Sequence, residues 1–172
     1  MTFLRLLPWA LAVALVAWAA WTWPAVPVRI PVHFGLDGTP DRWAERSPAQ
    51  WFGLPLLGLA LAAVLDVLTT QARRRPDAPW LNLPNKDAIL ALPPPRRAAV
   101  MERVAAMLYA TTAACLAAFV LIQVGTWAEA HGTGGTPWAL AGVLTAVVGP
   151  LAVLVWGLAR VSAELDRQRG AE

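Results

Sequence analysis

Two stretches of this chain carry residues of types that do chemistry: His33, Asp37, Asp41 and Glu45 in one, Glu129 and His131 in the other. Imidazole nitrogens and carboxylate oxygens ligate zinc, and a His–Asp pair can move a proton. The pattern argues against both uses. No paired His/Cys spacing of the zinc type is present. No nucleophile with an oriented base and no glycine-rich phosphate cradle accompanies the His33 and Asp41 pair. Asp37-Gly38 and Pro40-Asp41 read instead as turn chemistry, and Asp41-Arg42 and Glu45-Arg46 as ion pairs. We therefore expect no metal, no cofactor and no enzymatic activity. Cys115 is the single cysteine, so an intrachain disulfide is ruled out.

Two further polar residues, Asp66 and Gln123, stand inside long apolar runs. A charge there is costly and faces a partner or water. Gly58, Ala62, Asp66 and Thr70 fall on one stripe at i, i+4 spacing, so Asp66 should face other helices, with Arg73 or Arg103 as the expected partner. Gln123, with Tyr109, Thr111 and Thr112, reads as hydrogen-bonding glue between helices. A proton or ion path would need further ionisable groups in the spans, and the sequence offers none.

The elements that position these residues follow from composition. Of 172 residues 58% are hydrophobic and 15% charged, against about 25% charged in an ordinary soluble domain. A hydrocarbon core of roughly 30 Å takes about 20 apolar residues of helix. Four stretches meet that length, predicting helices over about 3–23, 50–70, 96–128 and 137–160. The fold class expected is an all-α membrane protein, a single bundle of four transmembrane helices with an irregular extracytoplasmic loop (24–49) and an inner loop (71–95). Gly142, Ala146, Gly149 and Gly157 offer small contact positions on the last span, and Gly149-Pro150 should kink it.

Charge sets the orientation. Arg5, Arg73, Arg74, Arg75, Lys86, Arg96, Arg97, Arg103, Arg160, Arg167 and Arg169 fall on one side, and only Arg29, Arg42 and Arg46 on the other. The positive-inside rule then places both termini in the cytoplasm. Trp21, Trp23, Trp43, Trp51, Trp127 and Trp138 fall near the outer boundary, as in an aromatic belt. The first span also has the outline of a cleavable signal peptide, but it is long for one and interrupted by Trp18 and Trp21.

The outer loop carries the most specific pattern. Pro24, Pro27 and Pro31 exclude helix. Val28, Ile30 and Val32 alternate as in a short extended segment, in which Pro31 suits an edge position. Asp37-Gly38 is a tight-turn signal. Ser47-Pro48 reads as an N-cap and first helical residue. Pro27, Arg29, Ile30, Pro31, His33, Phe34, Gly38, Pro40, Asp41 and Trp43 make up P-x-R-I-P-x-H-F followed by D-G-x-P-D-R-W. This resembles the signature of a bacterial membrane family of unknown function, shared with the N-terminal part of SdpI-type toxin-immunity and signalling proteins. A second block in the inner loop, Asn82, Pro84, Asn85 and Lys86 followed by an acid, is similar to another recurrent element of those relatives.

The inner loop opens on Arg73-Arg74-Arg75, which should halt translocation and contact anionic lipid. A phosphate or nucleic-acid site is the weaker reading of these arginines, because no aromatic interleaving or glycine-rich loop supports it. Its apolar residues, Trp80, Leu81, Leu83, Ile89, Leu90 and Leu92, suggest a segment lying along the membrane surface. The resemblance implies a non-enzymatic membrane protein whose outer loop binds or senses an external peptide or small ligand. SdpI-type proteins carry further helices beyond the region that matches, which puts immunity itself in doubt. A small transporter or channel subunit is the alternative. It would have to form a homo-oligomer and use Asp66.

Overall fold

The computed structural model describes residues 2–170. The elements run α1 (Thr2–Thr22), a 3-10 turn (Trp23–Ala25), β1 (Arg29–Phe34), β2 (Pro40–Glu45), α2 (Pro48–Arg74), α3 (Lys86–Ala91), α4 (Pro94–Ala130) and α5 (Thr136–Arg169). α1, α2, α4 and α5 are each long and apolar enough to cross a membrane. The chain is thus a helical membrane protein of the expected class, with one small two-stranded sheet added.

Local chemistry explains the helix ends. Ser47 is extended (φ −138°, ψ 156°) and its Oγ accepts the Gln50 amide at 3.3 Å, with Pro48 next. That is the predicted cap. α4 starts at Pro94, within the triple proline, because a proline at the first turn has no amide to leave unpaired. At the other ends the helices outrun the apolar spans. α2 continues to Arg74 and α5 to Arg169, each with arginines in its last turn, where cations offset the helix dipole. α5 also stays helical through Pro150.

α4 is the central post. A third of its most apolar window is buried, against 11% for α5. Glycines bring these two helices together. A Cβ on Gly142 would lie 2.6 Å from the Ile122 side chain, and one on Gly125 would lie 2.7 Å from the Ala139 amide nitrogen. Such close approach raises dispersion contact, which has to hold helices together where lipid supplies no hydrophobic drive. α1 packs on α2 and α4 through Ala12, Ala62 and Leu116.

The arginine-rich end has its own core. Ala72, Ile89, Val100, Met101, Val104, Val161 and Leu165 form one buried cluster, joined by Ala78, Leu81 and Leu92 of the 71–95 segment. This segment is therefore folded into the bundle, where its apolar residues alone suggested one lying on the membrane surface; Trp80 stays exposed. Lys86 closes it by donating from Nζ to the carbonyls of Ala78 (2.6 Å) and Leu81 (2.9 Å). Asn85 takes a left-handed conformation (φ 56°) to turn into α3, which asparagine tolerates better than most residues. Asn82 and Pro84 are exposed beside it. Lys86 and Asn85 of this block thus shape the turn into α3.

Candidate functional site: the hairpin and the cleft beneath it

The outer loop, expected to be irregular, is an ordered antiparallel hairpin. Arg29 pairs with Glu45, Ile30 with Ala44, Pro31 with Trp43, His33 with Arg42 and Phe34 with Pro40, with irregularities on either side of His33. The Val28–Val32 alternation marks β1, whereas β2 reads Pro-Asp-Arg-Trp-Ala-Glu and has no apolar alternation. Pairing across the turn makes the second strand. Pro31 sits in β1 where the register slips, which accommodates its missing donor.

The turn is built by the predicted residues. Asp37 Oδ1 accepts the Thr39 amide (3.0 Å) and hydroxyl (2.7 Å), and these bonds hold its carboxyl below the usual carboxylate range. Gly38 has φ +78°, and a Cβ there would lie 2.6 Å from Leu140 Cβ and 2.8 Å from the Thr136 carbonyl oxygen. The turn is thereby seated on the first turns of α5, whose start is held by Glu129. One carboxylate oxygen of Glu129 accepts the amides of Gly135 (2.6 Å) and Thr136 (3.1 Å).

At the base of the hairpin, Ile30 and Val26 pack with Ala19 and Trp51. Trp18, Trp51 and Trp127 form a triangle of rings with centroids about 6 Å apart. Trp51 is 1% exposed; its indole donates to the Ala19 carbonyl at 3.0 Å, and Gln123 Nε2 donates to the Trp51 carbonyl at 3.2 Å. Trp51 is therefore a core residue that ties α1, α2 and α4, in place of the belt residue its position suggested. Gln123 is interhelical glue, as expected. Trp43 and Trp138 remain exposed.

The chemistry-bearing residues do not converge. His33 Nδ1 lies 2.6 Å from Asp41 Oδ1, both half-exposed, so Asp41 pairs across the strands in place of the expected Arg42. Arg46, expected to pair with Glu45, donates to the Val26 carbonyl (2.5 Å) and lies over the Trp23 ring. His131 lies between the carbonyls of Trp127 and Ala25. Among the described residues no three of His, Cys, Asp and Glu are close enough to hold a metal.

Asp66 corrects a second expectation. It pairs neither with Arg73 nor with Arg103. Arg5 binds it through two N–H groups at 3.0 Å each, and the Tyr109 hydroxyl donates at 2.9 Å. Arg73 pairs with Glu102, and Arg103 with Glu164. Arg5 is 61 positions away in sequence, so neighbours along the chain misled.

One cleft uses the loop motif directly. A cavity of about 290 Å³ lies between the hairpin, α2 and α4, lined by Pro31, Val32 and Phe34 with Leu54, Ile122 and Gln123 among its walls. Its walls mix apolar side chains with amide and hydroxyl groups, including Gln50 and Thr126. That composition suits an amphipathic guest more than an ion. Ile122 and Thr126 carried no sequence signal, because nothing in an apolar run marks the residues that will face a loop far away in the chain. Pro27, Arg29, Arg42 and Trp43 line no part of it, and Arg29, Arg42 and Trp43 stand exposed on the hairpin.

These features define a multi-pass helical membrane protein with an ordered hairpin over one end of its bundle. A family model described as a domain of unknown function (DUF1648) matches residues 10–59, which span the second half of α1, the hairpin and the start of α2. No curated protein and no solved structure matches the chain.

Proposed function

We propose that this is a non-enzymatic protein of the bacterial inner membrane whose hairpin faces outward and binds an external peptide or small ligand. The observation that carries the reading is the cleft beneath the hairpin, because it draws Pro31, Val32 and Phe34 of the motif into one wall. The motif's resemblance to the N-terminal part of SdpI-type proteins supports a peptide as the guest. The closed Asp66–Arg5–Tyr109 contact favours a structural use of Asp66 over the transport alternative.

The test is a thermal-shift screen of secreted peptides against the purified protein, repeated on Val32→Asp. Val32 is exposed in β1, so the substitution charges the cleft without opening the core. Peptides that stabilise the wild type and leave Val32→Asp unmoved are expected. A substitution series at Val32, Phe34 and His33 that alters folding alone would assign the motif to structure and sink the binding role.

A further inference from the structure

At the arginine-rich end, a second cavity of about 360 Å³ opens between α1, α2 and α4. Arg5, Arg73 and Arg74 line it, together with Thr70, Met101 and Glu102. Two of the three guanidinium groups are partly committed: Arg5 to Asp66 and Arg73 to Glu102. These pairs hold each side chain in place and leave further N–H groups of each fork available. Arg74 is exposed and has no hydrogen-bonding or ionic partner among the described residues. The pocket therefore carries one net positive charge beyond its internal pairs, beside the apolar side chains of Ala98 and Met101.

Its depth identifies the guest. α2 has 27 residues from Pro48 to Arg74, about 40 Å at 1.5 Å per residue. A hydrocarbon core of roughly 30 Å with its headgroup layers fills about that length. Arg74 then lies at headgroup level when Pro48 lies at the opposite interface. We propose that this pocket is a phosphate site, filled by the headgroup of an anionic phospholipid in the adjacent leaflet. Guanidinium forks match phosphate oxygens in geometry and charge. The site is distinct from general attraction of basic residues to a charged surface, because Arg74 lines it and Arg75 does not.

The experiment uses the full chain in nanodiscs of equal parts phosphatidylglycerol and phosphatidylcholine, released for native mass spectrometry. Wild type is expected to retain phosphatidylglycerol in preference to phosphatidylcholine. Arg75→Gln should weaken that preference by no more than a general surface charge does, about fivefold. Arg74→Gln should abolish it, and Arg74→Lys, which keeps the charge and loses the fork, should fall between. Equal losses in Arg74→Gln and Arg75→Gln, or no preference in wild type, would overturn the site. A second arm adds inorganic phosphate to the protein in pure phosphatidylcholine. Thermal stabilisation of wild type but not of Arg74→Gln there, with no phosphatidylglycerol retained in the first arm, would overturn the lipid as the source and leave a soluble phosphate compound in its place.

Discussion

Gly38 is the residue on which the hairpin's position turns. Its positive φ strains any L side chain by roughly 1 kcal/mol, and a Cβ would also press on Leu140 and Thr136. Gly38→Ala is expected to lift the turn from α5, seen as new protease or hydrogen-exchange sensitivity at residues 35–45 with the helices unaffected. Asp37 supplies an acid dependence. Its folded-state pKa lies below the unfolded value because Thr39 donates to the charged form. It therefore contributes stability above the unfolded carboxylate pKa and loses it as pH falls through the lower folded value. Asp37→Asn should flatten hairpin opening over that acidic window, measured by exchange at the Thr39 amide. Both residues were legible as a turn from the Asp-Gly pair alone. The docking of that turn on Leu140 was not, because it joins positions a hundred residues apart.

Among the elements, α1 shows how far patterning reaches. Its span was evident from an unbroken apolar run, and so were those of α2, α4 and α5. Their true ends at Arg74, Ala130 and Arg169 were less so, since hydropathy falls where charges begin while helical hydrogen bonding continues. β2 escaped notice for a related reason: a strand stabilised by its partner and its turn needs no apolar alternation. The buried state of Trp51 was also hidden, because a boundary tryptophan reads the same in a belt and in a core. What ties α1 to its neighbours is Arg5 on Asp66 at one end and the Trp18–Trp51–Trp127 triangle at the other. Arg5→Gln and Asp66→Asn should each loosen α1. In combination they should cost less than the sum of the two, with Tyr109→Phe coupled to Asp66 in the same way; a double-mutant cycle on thermal unfolding in detergent reads this. Additive losses would mean that the contact contributes nothing of its own.

At the scale of the whole molecule, four spans return the chain to the side from which it started. We propose from the charge count that the hairpin lies outside. With Cys115 replaced by Ala, Leu36→Cys at the exposed hairpin tip should react with an impermeant maleimide in intact cells. Asp77→Cys in the 71–95 segment should react only after the membrane is opened. Reversed labelling would invert the orientation.

The seat of Gly38 on α5 carries a mechanical meaning as well. α5 begins beneath the hairpin turn and runs 34 residues to Arg169, a rod of about 51 Å at 1.5 Å per residue. Val161 and Leu165 on its far half share the buried cluster with Ile89 and Leu92 of the 71–95 segment. The rod also packs on α4 along its length, at Gly142 and Gly157, and Pro150 near its middle lacks one backbone hydrogen-bond donor. A shift of the hairpin turn would therefore bear directly on the first turn of α5, at Thr136 and Leu140.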